Sequence, residues 1–466
     1  MVSETSSAPR GWPPGLLLAY YGDDFTGSTD VLEAFTVAGV STVLFLKAPD
    51  AAALGRFPGV RCVGLAGQSR GRSPQWMREH LAPDLQALAA LGAPLLQYKV
   101  CSTFDSSPEV GSIGCALDVG VPLMPGPWSP MVVGAPRLGR YQAFGNLFAV
   151  VNGEGWRLDR HPTMSRHPVT PMCEADLRHH LGAQTSRPRH LVDFTQLKAG
   201  QGAAALGQWI ETSPQTPVVL IDVLDEDTLR EAGRLVWEHR GEGLFCASSS
   251  GLQYALAAHW RAVGLLPPAA ALSVAGPAFG PIAAVSGSCS PVTARQIARA
   301  EATGFATVRL RLPALFDDAE AEIQRTVAAA GQALADGISP LVYTASGPDD
   351  PAVRAFDATA AAAGLGRTEA ARRTGEALAQ VMRRLLDQTP GLRRIAVAGG
   401  DSSGEVAVSL GIEALTVAAA LAPGAPLCRA WSSDARRDGL EVVLKGGQMG
   451  GDDFFPVVRD GVLSPG

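Results

Sequence analysis

The sequence predicts an α/β protein built from two domains, each a mainly parallel sheet flanked by helices. Three observations lead there. At 466 residues the chain exceeds what a single core normally supports. Short apolar runs alternate with amphipathic stretches along its whole length. An uncharged segment of prolines and small residues, 266–281, interrupts that alternation and reads as a linker between an N-terminal domain, 1–265, and a C-terminal domain, 282–466.

Taken in order, Leu16 to Tyr21 is an apolar run suited to a buried strand, and "STDVLEAFTVAG" has helical spacing with Gly39 as its stop. "VSTVLFL" follows as a second strand, so the chain opens on a β-loop-α-β unit. Further strands are expected at "VRCVGLAG", "APLLQYKVCS", "SPMVVGAP", "PRHLVDF", "TPVVLIDV" and "EGLFCASSS", with helices between them. Residues 100–172 carry few periodic helices and many glycines and prolines, and read as an irregular binding surface. Beyond the linker a second α/β series begins at "IAAVSGSCSPVTARQIARA" and runs to "LEVVLKGGQMGGDDFF". No internal repeat is visible in the residues.

Composition narrows the function. The formal charge is −6, and no basic stripe stands out, which argues against a nucleic-acid partner. Seven cysteines, odd in number and without CxxC spacing, suit reduced thiols of a cytoplasmic protein. No stretch reads as a signal sequence or a membrane span, so no membrane partner is expected.

The loops carry the chemistry. "YYGDDFTGSTD" places Asp23, Asp24 and Asp30 where a strand gives way to a helix, a usual location for ligand binding in α/β sheets. A helix N-cap accounts for one of these carboxylates but not for the group, whose negative charge looks uncompensated. In the C-terminal half, Ser286, Gly287 and Ser288 precede one helix, and Gly399, Gly400, Asp401 and Ser402 precede another. Lys445, Gly446 and Gly447 form a third glycine-rich loop. Glycines let backbone amides approach an anion, and a helix N-terminus offers free N–H groups, so these loops read as a nucleotide site. Neither a Walker A sequence nor a Rossmann GxGxxG is present.

Six motifs in order, "GDDFTGSTD", "YKVCSTFDSS", "SRHPVTPM", "SGSCSPVTARQI", "AGGDSSGEV" and "LKGGQMGGDDFF", resemble those of the four-carbon acid sugar kinases and span Tyr20 to Phe455. The resemblance implies an N-terminal acid-sugar domain, a C-terminal ATP domain, an active site in the interdomain cleft, and phosphoryl transfer to a hydroxyl of a small sugar acid. ATP and Mg²⁺ are the implied cofactors; whether the chain forms a homo-oligomer is left open. Ser112 and Asn146 stand where tetronate-type members have Asn and His, and "CSTFDSSPEVGSIG" with "GRYQAFGNLFA" is similar to the branch acting on 3-oxo-isoapionate. A tetronate or threonate-type acid is the alternative substrate, and a non-catalytic sensor of sugar acid or nucleotide is the alternative class.

Within that frame Asp24 is expected as the catalytic base with Asp23 beside it. Lys99, Arg140 and Arg166 are candidates for the substrate carboxylate, and Ser102, Thr103, Asp105 and His167 for its hydroxyl or keto groups. Backbone around Ser288 and Gly399 to Ser402 is expected to cradle the phosphates, Lys445 to touch them, and Asp401 to hold the metal. His179 and His180 are read as a solvated helix face, and Asp452 and Asp453 as a solvated turn at least as readily as metal ligands.

Overall fold

The structure, a computed structural model, describes residues 12–151, 153–167, 169–267 and 272–462; the side chain of Asp401 lies outside that description, and with it the expected metal ligand. The chain divides into two compact units, Met1–Ala271 and Leu272–Gly466.

The strands of the first unit are β1 (Leu18–Gly22), β2 (Thr42–Phe45), β3 (Cys62–Ala66), β4 (Leu95–Lys99), β5 (Ser129–Met131), β6 (Arg140–Ala143), β7 (Asn146–Val151), β8 (Glu154–Arg157), β9 (Arg189–Val192), β10 (Val218–Ile221) and β11 (Leu244–Ser248). Five form a parallel run in the order β11-β4-β1-β3-β2. β1 is completely apolar apart from its tyrosine hydroxyls and buried along its length, as a central parallel strand with helices on both faces must be. Helix Phe25–Ala38 packs back on it and stops at Gly39, whose φ of 94° is the left-handed cap that glycine supplies without strain. On this layer Phe35 and Trp237 both meet Trp260, at 5.7 and 5.0 Å between ring centroids.

Residues 100–172 are more regular than their composition suggests. They hold helix Ile113–Gly120 and an antiparallel meander, β6-β7-β8, joined by turns too tight and strands too short to show a clear period. A small parallel sheet, β5-β10-β9, completes the unit.

In the second unit the strands are β12 (Ala283–Ser286), β13 (Ala306–Arg309), β14 (Pro340–Tyr343), β15 (Arg394–Ala398), β16 (Ala414–Ala422), β17 (Ala425–Trp431) and β18 (Glu441–Lys445). β18-β15-β12-β14-β13 are parallel, with β17 and β16 added antiparallel beyond β18. Within the segment read as a linker, 268–271 fall outside the description, and Ala275 is buried with its N–H donated to Ala420 O at 2.8 Å.

The parallel runs of the two units share one connectivity. In each the first strand is central, the second and third lie on one side, and the fourth and fifth on the other. The repeat invisible in the residues is therefore present in the topology.

Candidate active site

In the first unit the chain runs from β1 to β2 and β3 on one side, then crosses to β4 on the other. The crevice beyond β1 and β4 is thus the switch point at which α/β sheets bind ligands. Asp23 N donates to Lys99 O at 3.0 Å there, joining the ends of the two strands. Asp24 does cap helix Phe25–Ala38, its Oδ1 accepting from Gly27 N at 2.6 Å. The cap does not exhaust its role, because one guanidinium grips both neighbouring carboxylates. Arg70 Nε and Nη2 donate to Asp23 Oδ2 and Oδ1 at 3.0 and 2.7 Å, and Nη1 and Nη2 to Asp24 Oδ2 and Oδ1 at 2.6 and 2.9 Å.

The acidic charge is therefore compensated in large part, contrary to expectation, three carboxylates facing two cations. Arg70 takes two carboxylates, and Lys99 Nζ lies 3.5 Å from Asp30 Oδ2. Asp23 and Lys99 are buried, whereas Asp24 keeps 24% of its side chain open to solvent. Burial pushes the Asp23 carboxyl up, opposed by Arg70 and reinforced by Asp24. Gly27 makes the arrangement sterically feasible. A Cβ there would stand 2.6 Å from Asp24 Oδ1, 3.2 Å from Lys99 Nζ and 3.5 Å from Arg70 Nη2, in the hollow where the three charged heads converge.

Beyond β4 the loop of expected substrate ligands turns sharply at Phe104, a buried residue with φ of 59°, a conformation that costs free energy outside glycine. Thr103 Oγ1 donates to Asp105 Oδ1 at 2.8 Å and contacts Cys101 Sγ at 2.9 Å, so part of this set is bound internally. The Ser102 hydroxyl has no partner among the described residues. Arg140 donates Nη1 to Leu138 O at 3.0 Å, but its buried Nε has no partner and no carboxylate pairs with it among the described residues. Burial pulls its pKa down, while Cys101 and Asp105 act in the opposite sense. An unpaired, largely buried guanidinium is suited to an anionic ligand.

His167 is half-buried, and its Nδ1 accepts from Thr170 N at 3.0 Å, which in the neutral ring leaves the proton on Nε2 as a donor. Arg166 is exposed, without a side-chain ion pair among the described residues. "DRHPTMSRHPVTPM" contains Arg-His-Pro twice, and His161 belongs to the first copy. His161 is buried and repeats the arrangement, with Nδ1 accepting from Thr163 N and Met164 N at 3.2 Å each. His180 corrects the solvated-face reading. Its Nε2 lies 3.1 Å from Ser106 Oγ and its ring stands edge-on to Phe104, so it braces the loop of expected substrate ligands while His179 remains exposed. Ser112 is also buried and caps helix Ile113–Gly120, accepting from Cys115 N at 3.1 Å; Asn146 Nδ2 is exposed and donates to Phe144 O at 3.3 Å.

The second unit has its switch point between β12 and β15, and the three expected loops meet there. Gly287 N donates to Ala398 O at 3.0 Å, and Gly399 N to Lys445 O at 2.9 Å. A Cβ on Gly287 would lie 2.2 Å from Ser402 Oγ, and one on Gly447 2.6 Å from Ser288 Oγ, so both glycines serve close approach between loops. Gly399 has φ of 127° and caps helix Gly400–Ser409. Ser290 and Thr293, at the start of helix Pro291–Ala302, both donate their hydroxyls to Gly447 O. The buried Ser286 hydroxyl has no partner among the described residues.

Lys445 sits among these loops, wholly buried. Its Nζ donates to Thr293 Oγ1 and Gly446 O, each at 3.1 Å, and lies 5.4 Å from the Phe454 ring centroid. No carboxylate pairs with it among the described residues, and burial lowers its pKa to about 8. Asp452 and Asp453 pair instead with Arg295 and Arg299 at 2.9 and 2.7 Å on the exposed flank. No group of three His, Cys, Asp or Glu with metal-site geometry occurs among the described residues, and no helix described is long and apolar enough to cross a membrane.

Comparison with known proteins agrees with this division. A model of a sugar-binding N-terminal domain matches residues 18–256, and one of a nucleotide-binding C-terminal domain matches 283–455. The 3-oxo-isoapionate kinase of Paraburkholderia graminis is 66% identical over 455 residues, covering 97% of this chain and 96% of the relative. The 3-oxo-tetronate kinase of Methylobacterium radiotolerans is 32% identical, covering 94% of this chain and 98% of its own. A crystal structure from Salmonella typhimurium LT2 superposes with a TM-score of 0.76 at 25% identity, over 94% of this chain and 98% of that one.

Proposed function

The chain belongs to the four-carbon acid sugar kinases, and from that premise we propose that it transfers the γ-phosphoryl group of ATP to a hydroxyl of 3-oxo-isoapionate in sugar-acid breakdown in the cytoplasm. The observation that carries the kinase reading is Lys445, a buried ammonium without a carboxylate partner at the meeting point of three glycine loops. Such a cation is costly unless a ligand supplies the anion, and a polyphosphate does. The choice of acid rests on the 66% identical relative, and a tetronate-type acid is the second reading.

In the first unit, Asp24 accepts the proton of the substrate hydroxyl, being the more open of the pair, while Arg140 takes the acid's carboxylate. Lys99, Ser102, Thr103, Asp105, Arg166 and His167 orient the remainder. In the second unit, backbone N–H groups of the loops at Gly287–Ser288 and Gly399–Ser402, with Lys445, hold the phosphates, and Gly446 and Gly447 close over them. Hydroxyl and carbonyl oxygens dominate these loops, a hard donor set that suits Mg²⁺ arriving with the nucleotide, and Ser286, Ser288 and Asp401 would hold it. The ion neutralises phosphate charge when bound.

Incubating the protein with ATP, Mg²⁺ and either acid, and following product by ³¹P NMR, tests the assignment. A kcat/KM at least about tenfold higher for 3-oxo-isoapionate is expected, which corresponds to about 1.4 kcal/mol of transition-state discrimination. Preference for the tetronate would replace the substrate; ATP binding without transfer to any sugar acid would favour a sensor.

A further inference from the structure

Granting the kinase reading, on which it rests, we infer that Arg70 is a positioning residue that keeps Asp23 and Asp24 both ionised, so that Asp24 accepts a proton at neutral pH. All four carboxylate oxygens receive a hydrogen bond from this one side chain, at 2.6 to 3.0 Å. Both Oδ1 atoms lie within 2.9 Å of the same nitrogen, so the two like charges are close neighbours. Carboxylates that near share a proton unless a cation lies between them.

The other titratable groups around the pair do not take over this task. Lys99, from the end of β4, acts on Asp23 but has its own carboxylate, Asp30, at 3.5 Å. The Cys101 thiol is pushed up to about 11 by burial, and the Tyr21 hydroxyl to about 12 by burial, the latter with Asp84 adding to it. Tyr98 is raised likewise, so at neutral pH these three are uncharged. Arg70 is itself fixed. Its backbone N–H donates to Asp23 O at 2.9 Å, and Gly111 approaches so closely that a Cβ there would lie 2.3 Å from Arg70 O. Burial acts to lower its pKa, but the two carboxylates outweigh it and keep the guanidinium charged.

An electrostatic role predicts opposite displacements for two variants, which a merely structural role does not. In protein labelled with ¹³C at aspartate carboxyls, the Asp24 resonance is identified by its loss in Asp24→Asn and titrated against pH without substrate. Arg70→Met is expected to move that titration up by at least about one pH unit, and Asp23→Asn, which removes the like charge, to move it down. The acid limb of kcat is expected to shift in the same two directions, with KM for ATP changed less than about twofold. A folded Arg70→Met protein with an unmoved Asp24 titration overturns the inference. If Arg70→Met fails to fold, Arg70→Gln, which keeps polar contacts to the pair but removes the positive charge, carries the test with an upward shift of the same sense, and no shift again overturns it. Shifted resonances with an unmoved kcat limb would support the hold of Arg70 on the pair while removing Asp24 as the base. Absence of any turnover in the unmodified enzyme would refute the kinase reading, with the titrations still deciding the role of Arg70.

Discussion

The two units run their parallel strands in the same order, yet the loops at their switch points have opposite chemistry. Beyond β1 stand two consecutive aspartates bridged by Arg70, with Lys99 and Asp30 alongside. Beyond β12 and β15 stand glycines and hydroxyls, and the nearby Lys445 is left without a carboxylate partner among the described residues. The topology therefore fixes where a ligand can sit, and the loop decides which one. A proton acceptor for a hydroxyl needs a fixed anion whose charge is managed by a neighbour. A polyphosphate needs backbone N–H groups and a cation close to its charge.

The largest effect is expected from removing the proton acceptor on the first side only. Asp24→Asn preserves the cap, since Asn Oδ1 can still accept from Gly27 N, but loses the negative charge. Turnover should fall roughly 10²–10⁴-fold in steady-state assays, with ATP affinity by calorimetry unchanged. Asp23→Asn should lose less at neutral pH. Wild-type turnover in folded Asp24→Asn would leave Asp24 as a helix cap and nothing more.

Space is the next property that separates the sites. Gly287→Ala places a methyl against Ser402 Oγ and should weaken ATP binding by about tenfold or more, while Gly27→Ala places one among Asp24, Lys99 and Arg70 and should reduce kcat with ATP binding intact. Calorimetry and kinetics on both variants check the division. Loss of ATP binding in Gly27→Ala, or none in Gly287→Ala, would break it.

Much of this was legible because strand ends and glycine turns are local signals. β1, its helix and the cap at Gly39 follow from spacing alone, and the six motifs mark both loops. Arg70 was not legible. It lies 46 residues beyond Asp24, after β3, and reaches the pair only because β3 pairs beside β1, a non-local choice that periodicity does not encode. The common strand order was hidden for the same reason. His180 misled because its helix begins polar, whereas its burial comes from Ser106 and Phe104 on a distant loop. His161 had a signal in the duplicated Arg-His-Pro that could have found it.

Charge gives a smaller, pH-dependent contrast. With its pKa lowered to about 8 by burial, Lys445 is protonated below that pH and neutral above it in the free protein. Phosphate binds the protonated form and so raises the pKa in the complex. ATP affinity should therefore be level below about pH 8 and fall by up to about tenfold per pH unit above it, until the raised pKa of the complex is passed. Lys445→Met should bind ATP more weakly and without this slope. Equal slopes in both proteins would place the titration elsewhere. Binding of the acid alone, governed by the first unit, should not share the slope.

The smallest effect concerns a position that the family resemblance marks as a departure from the tetronate-type pattern. Ser112 invites reading as a specificity residue, but it is buried, and its hydroxyl accepts from Cys115 N at 3.1 Å and donates to Gln184 Oε1 at 3.4 Å. Those contacts join the start of helix Ile113–Gly120 to Gln184, two residues beyond helix Leu177–Gly182; neither involves an expected substrate ligand. Ser112→Ala should therefore act as the loss of an N-cap, about 1 kcal/mol in stability, seen as a modest drop in the first unit's melting temperature. The ratio of kcat/KM for 3-oxo-isoapionate and the tetronate should not move. A changed ratio without a stability loss would mean that the helix start reaches the acid, and would place specificity in the motif rather than in the loop around Arg140.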